Sequence, residues 1–376
     1  MRLSDLIDIR KFTYNWDAIE DIPEFSVLKE CQQSAKWHKE GSAWEHTKKV
    51  CEAAVRMCEE MGWEKESRWA SFLLGGALFH DIGKGVTTEF RKGDWHSYNH
   101  ENAGEKMTRR ILWDTNPEIR EGICAMVRYH MMPLRILDSK DYLERITAMS
   151  KTLSPACWYL LLLVKKCDLL GSVQEDEVSQ KRDFQILEDL EMLTSRLNCY
   201  YAPSSIPNKP HFKSSSYKKP RIIVNVMMGI SGAGKSTVIK NIAPKFRKPY
   251  TVVNRDSVRE LMGLCGKGEK IVGTPEQENE VTRICNDIAL TAAARDEVIF
   301  FDNMNLMKKY RDEYKTLLAD YDVEWNYHYV EAPSLNDNLK RRDYPSKVLD
   351  GMVSRIEWPT GDEYDKFFFY VTDSPS

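Results

Sequence analysis

The chain has 376 residues, 42% of them hydrophobic and 30% charged, with a net charge of −3. This composition is that of an ordinary soluble globular protein, and the length predicts two domains. The nearly balanced charge excludes a protein that binds nucleic acid through its bulk charge, so any such site must be a local basic patch.

The cysteines and the hydrophobic segments predict a cytoplasmic protein. The nine cysteines include no C-x-x-C pair, which is typical of reduced, buried thiols in a cytosolic protein. The first residues, MRLSDLIDIRKF, lack the apolar core of a signal peptide. The longest apolar run, around Trp158 to Val164, is too short to cross a bilayer. We therefore expect no membrane contact.

The first half of the chain shows helical periodicity almost throughout. From Val50 onward, apolar residues keep one helical face, and residues 71–79 are nearly all small or apolar, as in a central buried helix. A further stripe leads from Ile119 to His130. We expect an all-α domain over residues 1–201, with no strand before about residue 200.

Several ionisable side chains fall on the apolar faces of these helices. They are His46, His80, Asp81, His130 and Asp168. Any single histidine of this kind is more often an ordinary core or surface residue. Ionisable groups that point into an apolar bundle must, however, be paired or bound to a cation. Together they predict a metal site with nitrogen and oxygen ligands.

The motif LFHDIGK, with the lead-in EGSAWEHTKKV and the later KKCDLLG, resembles the HD phosphohydrolase superfamily. The resemblance implies that one divalent metal is bound by His46, His80, Asp81 and Asp168. It implies that His100 and His130 hold a second metal or contact the scissile phosphate, and that Lys84 contacts phosphate. Mn²⁺, Co²⁺, Ni²⁺, Fe or Zn²⁺ suits such ligands, and the number of metals stays open. We expect His38 and Glu40 to be local structure and His96 to be a surface residue.

Residues 202–220 mark a change in composition. They are rich in proline, serine and basic residues and contain no acidic residue. This pattern predicts a linker. The alternative is a basic segment that touches a phosphate backbone.

Apolar strands and helices alternate after this segment. Strands are predicted at 221–228, 250–253, 298–301 and 324–330, with helices from about 257, over 276–295 and over 307–321. Alternating strands and helices imply a parallel sheet with right-handed crossovers. Residues 221–376 are therefore predicted to form an α/β domain.

The sequence GISGAGKST, Gly229 to Thr237, follows the first of these strands and opens a helix. Strand, glycine-rich loop and helix are the context in which G-x-x-x-x-G-K-[ST] binds the phosphates of a nucleoside triphosphate. Gly229, Gly232 and Gly234 let backbone N–H groups approach the phosphates, Lys235 adds a charge and Ser236 offers a hydroxyl to Mg²⁺. We expect ATP or another nucleoside triphosphate here.

Asp256 and Arg259 follow the second strand, where the carboxyl edge of a parallel sheet would place them beside the phosphates. A carboxylate there can accept a proton from an acceptor hydroxyl. The alternative is that Asp256 is only the N-cap of a helix and that Arg259 is a solvated residue of its first turn. The spacing alone favours neither interpretation.

The segment NRDSVR, with the phosphate loop, resembles the 5′-hydroxyl polynucleotide kinases of phage and bacterial RNA repair. The resemblance implies that Asp256 is the general base and that Arg259 binds the 3′-side phosphate of the acceptor. It places Asp302, and nearly Asn305, at sheet positions of that family. It also implies a lid arginine, for which Arg341 and Arg342 are both candidates.

The order of the two domains resembles the HD–polynucleotide kinase family of two-headed end-healing enzymes. This implies that one head removes a 3′ or 2′,3′-cyclic phosphate from RNA, with DNA as a further substrate, and that the other phosphorylates a 5′-hydroxyl before an RNA ligase seals the break. Two alternatives stay open. One is an HD nucleotidase fused to a small-molecule kinase, and the other is a kinase with a catalytically silent HD binding module.

Overall fold

The computed structural model of the protein describes residues 1–63, 67–196, 222–264, 273–341 and 345–372. The chain divides into two compact units, Met1–Pro207 (unit 1) and Asn208–Ser376 (unit 2). The predicted linker, residues 202–220, lies outside the described residues. No helix in the described ranges is long and apolar enough to cross a lipid bilayer.

Unit 1 is built on helices, as predicted. They are α1 (Leu3–Leu6), α2 (Trp16–Glu20), α3 (Pro23–Ser26), α4 (Ala43–Glu60), α5 (Arg68–Phe79), α6 (Lys84–Thr87), α7 (His100–Ile111), α8 (Pro117–Tyr129), α9 (Pro133–Ile136), α10 (Tyr142–Thr152), α11 (Trp158–Gly171) and α12 (Glu177–Arg196), with a 3₁₀ turn at Val27–Lys29. The apolar helix α11 packs against α4, α5 and α12, and α7 packs against α8.

Small residues allow the central helix α5 to approach its neighbours closely. A Cβ added to Gly75 would lie 2.4 Å from Cδ1 of Ile123 on α8, and one added to Gly76 would lie 2.9 Å from Cγ2 of Val164 on α11. Real Cβ atoms do not approach other atoms so closely, so glycine at both positions lets α5 occupy the centre of the bundle.

Unit 1 also contains two short antiparallel hairpins, so the prediction of no strand before residue 200 is wrong. One pairs β1 (Ile7–Asp8) with β2 (Thr13–Tyr14), and the other pairs β3 (Thr88–Arg91) with β4 (Asp94–Ser97). In the second, Lys92 and Gly93 both have positive φ, 52° and 85°. A two-residue turn of this kind closes a tight hairpin, and its strands are too short for a pattern in the sequence.

Unit 2 contains the predicted parallel sheet. Its strands are β5 (Ile222–Met228), β6 (Tyr250–Val253), β7 (Val298–Phe301), β8 (Val323–Glu331) and β9 (Lys366–Val371). Their order is β6-β7-β5-β8-β9 and every neighbouring pair is parallel. The predicted strands match within a residue or so, whereas β9 was not predicted.

The helices of unit 2 lie between these strands in the sequence. They are α13 (Lys235–Ile242), α14 (Arg255–Leu261), α15 (Pro275–Ala294), α16 (Lys308–Leu317), α17 (Leu335–Arg341) and α18 (Ser346–Val353), with a 3₁₀ turn at Ala243–Lys245. Two apolar clusters of buried residues, both contributed in part by β5, form the core. The two-domain fold class is therefore confirmed, with a helical N-terminal part and a C-terminal α/β part.

Candidate active sites

Six side chains that the sequence predicts as metal ligands lie together inside unit 1. They are His46 on α4, His80 and Asp81 directly after α5, His100 at the first position of α7, His130 directly after α8 and Asp168 on α11. All six are buried. Burying so many ionisable groups in an apolar core is unfavourable unless they are paired or hold a cation.

Backbone contacts fix the orientation of three of the imidazoles. In His80, His100 and His130, Nδ1 lies 2.7–2.8 Å from a backbone carbonyl oxygen three residues earlier in the chain. A carbonyl only accepts, so Nδ1 carries the proton and donates it, and Nε2 presents a lone pair. These Nε2 atoms point into the cluster. The backbone thus orients three imidazoles so that the lone pair of each Nε2 atom is directed into the cluster.

The Nε2 atoms meet in two pairs. Those of His46 and His80 lie 3.3 Å apart, and those of His100 and His130 lie 3.2 Å apart. In the second pair, two lone pairs face each other without a proton between them, which is favourable when a cation lies beside both. The donor chemistry therefore fits a divalent metal bound through neutral imidazoles.

Asp81 lies between the two histidine pairs. Its Oδ2 is 3.2 Å from Nε2 of His80 and 3.6 Å from Nε2 of His46, whereas its Oδ1 is 3.3 Å from His100 and 3.7 Å from His130. Two three-residue groups capable of holding a metal share this carboxylate. One carboxylate with an oxygen toward each pair is the arrangement required to bridge two ions.

Two lysines accompany the two carboxylates. Lys84 Nζ lies 2.6 Å from Asp81 Oδ2 and donates to Gln33, and Lys165 Nζ lies 2.6 Å from Asp168 Oδ2. Burial alone would raise the pKa of each carboxyl, but the lysines and histidines outweigh it and hold both pKa values well below the usual range. Both carboxylates are therefore ionised and could serve as metal ligands. Lys165, one turn before Asp168, was not predicted.

Glu40 also belongs to this site, although the sequence indicated only local structure. Its buried Oε1 lies 2.8 Å from Nδ1 of His46, at an angle outside the range of a hydrogen bond. The same oxygen lies 2.7 Å from Nδ1 of His38, with which it forms a hydrogen bond. Its Oε2 accepts the backbone N–H of Val173. Carboxylates commonly hold the outer nitrogen of a metal-binding histidine. Burial lowers the pKa of His46, but Asp168 and Glu40 more than offset this and raise it to about 9.

In unit 2, the glycines of the phosphate loop adopt backbone angles that other residues avoid. Gly229, Gly232 and Gly234 have φ of 144°, 78° and 97°. A Cβ on Gly229 would lie 2.3 Å from the carbonyl oxygen of Val330, and one on Gly234 would lie 2.8 Å from Cγ2 of Thr372. Glycine is therefore required twice over at both positions, by its φ and by close packing.

The loop side chains lie where a nucleotide site needs them. Lys235 Nζ donates to the carbonyl oxygens of Gly229 and Ile230, both at 3.0 Å. Ser236 Oγ donates to Asp302 Oδ2 at 2.7 Å, with Asp302 directly after β7. A hydroxyl and a carboxylate in contact at this edge fit the Mg²⁺ of a P-loop enzyme. Thr237 is exposed on α13, and its backbone N–H donates to the carbonyl oxygen of Gly234.

Asn254 connects this centre to the next strand. Its side-chain N–H donates to the backbone oxygen of Asp302 at 2.7 Å, and its Oδ1 accepts the N–H of Ser257 as the N-cap of α14. The alternative role of Asp256 as N-cap is therefore taken by Asn254. The Asp256 side chain is 74% exposed and does not cap the helix.

Arg259 lies beside Asp256 and is held by a residue that the sequence did not single out. Its Nη1 is 2.7 Å from Asp256 Oδ1, while its Nε and Nη2 donate to the two oxygens of Glu278 on α15 at 2.8 and 2.7 Å. Glu278 also accepts from Arg255 at 2.9 Å. The hydrogen bonds from Arg259 are the main reason that the pKa of Glu278 falls to about 2.

Of the two candidate lid arginines, Arg341 ends α17 and Arg342 lies outside the described residues. Arg341 Nη1 donates to the Gly232 carbonyl oxygen at 3.2 Å and to Thr372 Oγ1 at 2.7 Å. It therefore already contacts the phosphate loop. Asn305, at a positive φ of 49°, donates to the backbone oxygens of Met227 on β5 and Phe301 on β7, the strands that lead to the phosphate loop and to Asp302.

Two family models match the chain. The HD domain model matches residues 43–158, and the AAA domain model AAA_33 matches residues 224–357. A curated relative, the multifunctional CCA protein of Pasteurella multocida (strain Pm70), is 28% identical over 168 residues, which are 43% of this chain and 38% of that protein. The chain thus spans well under half the length of this relative.

Solved structures match parts of the chain at low identity. The Pnkp1/Rnl/Hen1 complex is 16% identical with a TM-score of 0.26, over 31% of this chain and 38% of that chain. The APS kinase CysC of Mycobacterium tuberculosis, in complex with AMPPNP and APS, is 20% identical with a TM-score of 0.29, over 40% of this chain and 90% of that chain. Taken with the geometry of the two sites, the family matches show that this chain joins an HD domain, which implies a divalent metal, to a kinase-like P-loop domain of the AAA_33 type, which implies a nucleoside triphosphate and Mg²⁺.

Proposed function

We propose that the protein heals broken RNA ends, with a metal-dependent phosphoesterase in unit 1 and a 5′-hydroxyl polynucleotide kinase in unit 2. The observation that carries the proposal is the pairing of Asp256 with Arg259 at the carboxyl edge of the sheet. It sets a proton acceptor beside a guanidinium, and such a pair suits an acceptor that carries both a hydroxyl and a phosphate.

The kinase reaction follows from these side chains. Asp256 accepts the proton of the 5′-hydroxyl as its oxygen bonds to the γ-phosphorus, and the bond from that phosphorus to the β,γ-bridging oxygen breaks to release the nucleoside diphosphate. Lys235 and the loop N–H groups neutralise the charge on the transferred group. Ser236 and Asp302 would hold Mg²⁺, which supplies further neutralisation of phosphate charge. Arg341 reaches the loop from α17.

In unit 1, the six buried ligands would hold one or two divalent metals, which supply a water of lowered pKa and neutralise the phosphoester. The two-sided position of Asp81 supports two ions. Lys84 and Lys165 bring positive charge to Asp81 and Asp168, where they would contact phosphoryl oxygens. In hydrolysis the oxygen of water bonds to the phosphorus, a P–O bond to ribose at the 3′ end breaks, and the departing ribose oxygen takes a proton from that water. A ligase partner for the healed ends is implied only by the family resemblance.

The test is one incubation with both ends analysed by mass. An RNA oligonucleotide with a 5′-hydroxyl and a 2′,3′-cyclic phosphate is mixed with the protein, ATP, Mg²⁺ and Mn²⁺. Phosphate gained at the 5′ end and lost at the 3′ end is the expected result. Phosphate gained at the 5′ end alone would support the kinase and indicate that the HD domain is a nucleotidase or a binding module. No change at either end would refute the proposal in favour of small-molecule substrates.

A further inference from the structure

The hairpin of β3 and β4, with Tyr98 directly after it, carries exposed aromatic rings. We refer to residues 88–98 as the aromatic hairpin. Phe90, Trp95 and Tyr98 are 60%, 36% and 64% exposed. Phe90 and Trp95 are cross-strand partners whose rings meet edge to face at 5.2 Å, and His96 stacks on Tyr98 at 5.3 Å with only 12° between the planes. Exposed apolar side chains that lie next to one another commonly mark a site of interaction.

Polar contacts attach the hairpin to the rest of unit 1. Ser34 Oγ donates to Asp94 Oδ2 at 2.6 Å, and Cys31 Sγ lies 3.2 Å from Thr88 Oγ1. Within the hairpin, the hydroxyls of the cross-strand partners Thr88 and Ser97 lie 2.7 Å apart. The exposed rings make none of these anchoring bonds. Their exposed faces are therefore available for binding.

Both ends of the hairpin are joined to the metal centre. Before it, Lys84 opens the short helix α6 that leads directly into β3, and Lys84 contacts Asp81 at 2.6 Å. After it, the carbonyl oxygen of Ser97, the last residue of β4, accepts from Nδ1 of His100 at 2.7 Å. The aromatic hairpin therefore begins four residues after Lys84 and ends close to His100, and its rings are carried by two faces, Phe90 and Trp95 on one and His96 with Tyr98 on the other.

The chemistry of this surface fits a single-stranded nucleic acid. Aromatic rings interleaved with cations bind strands because every base has a face that stacks, whatever the sequence. The turn supplies Arg91 and Lys92, both exposed, with Arg91 also 2.8 Å from Glu89. Because the hairpin has nearly balanced charge, the rings rather than the charges supply most of the binding.

We propose that the aromatic hairpin binds the nucleotides that precede the terminal phosphate of an RNA strand, so that the HD centre acts on strand ends in preference to free nucleotides. This inference rests on the proposed phosphoesterase function. It adds a determinant of substrate class, a strand rather than a mononucleotide, that the metal ligands do not provide.

The experiment compares two substrates on the full-length, Mn²⁺-loaded protein. One is a single-stranded RNA of eight nucleotides ending in a 2′,3′-cyclic phosphate, and the other is a nucleoside 2′,3′-cyclic monophosphate. The variants are Phe90→Ala with Trp95→Ala, and Tyr98→Ala, which lies outside the strands and leaves their pairing intact. Val178→Ala, at an exposed apolar residue on α12, is the matched control.

We expect kcat/KM on the RNA to fall roughly ten-fold or more in both hairpin variants, mainly through KM, since a lost stacking contact weakens binding by about that factor. Activity on the mononucleotide should stay within about two-fold of the wild type, and the conservative variant Trp95→Tyr should keep wild-type activity on the RNA. The control should match the wild type on both substrates.

Three results would overturn the inference. Wild-type kcat/KM on RNA in both hairpin variants would show that the rings do not bind the strand, and an equal loss on both substrates would show that the hairpin only supports His100. A wild-type protein that hydrolyses neither substrate would refute the proposed function itself, and with it the inference. If the wild type hydrolyses the RNA and both hairpin variants do so equally well, the inference is refuted and the proposed function stands.

Discussion

Glu40 offers a quantitative test of the metal centre, because it contacts a predicted ligand without being one. Its Oε1 lies 2.8 Å from Nδ1 of His46, and both side chains are fully buried. Glu40→Ala would leave the imidazole without the carboxylate that orients it. Loss of such an outer partner weakens metal binding by roughly 10- to 100-fold, which corresponds to about 1.4–2.8 kcal/mol.

The same substitution has a stability component. In the metal-free protein, Glu40→Ala would remove the hydrogen bond between Glu40 Oε1 and Nδ1 of His38, and a buried donor left unsatisfied costs about 1–3 kcal/mol. Glu40→Gln keeps the size and an acceptor for Val173 but removes the charge, so it should fall between the wild type and the alanine variant in both metal affinity and stability.

The assay is Mn²⁺ titration of the metal-free protein by calorimetry, with thermal unfolding followed in parallel. Glu45→Ala is the matched control, since Glu45 lies in the first turn of α4 with its carboxylate 49% exposed and paired only with Lys48 in the described salt bridges. Mn²⁺ affinity of Glu40→Ala equal to that of the control would refute the assignment of Glu40 to the metal centre.

Three further predictions separate the two sites. Asp256→Ala should reduce 5′ phosphorylation at least 100-fold, as expected for loss of a general base, and leave RNA 3′-end hydrolysis unchanged; a parallel loss of hydrolysis in a folded variant would contradict independent sites. His80→Ala with Asp81→Ala should do the reverse, measured in the same end-labelled assay, and retained metal-dependent hydrolysis would mean that the centre is misplaced. Glu278→Gln should raise the KM for the polynucleotide several-fold with little change in the KM for ATP, because Arg259 loses its bidentate partner; an unchanged acceptor KM would show that Glu278 does not position Arg259.

The features that could be predicted are those with a repeating pattern or a fixed motif. The inward positions of His46 and Asp168 follow from helical periodicity, and the loop from Gly229 to Thr237 follows from its spacing after an apolar strand. The strand at 298–301 was predicted to the residue because all four of its side chains are apolar and buried. Helical periodicity and sequence motifs therefore predict most residues of both candidate sites.

The missed features lack such patterns. Glu40 precedes α4 in a segment without periodicity, and its partner His46 becomes its neighbour only in the folded chain. Glu278 lies in the first turn of a long helix, where an acidic residue ordinarily satisfies the helix dipole and faces solvent. Strand β9, between Lys366 and Val371, is an edge strand whose side chains are exposed or half-buried, so it shows no clean alternation.

The order of strands in the sheet also has a consequence for how the protein reaches its folded state. The central strand β5 pairs with β7 and β8, both of which come much later in the chain. Pairing across long intervening segments requires costly loop closure and is slow, whereas helices form from local contacts and fold fast. In refolding from denaturant, the helical unit should therefore regain metal binding before the sheet unit regains nucleotide binding. During synthesis the helical unit also emerges first, so a folded metal centre is expected while the sheet is still being assembled.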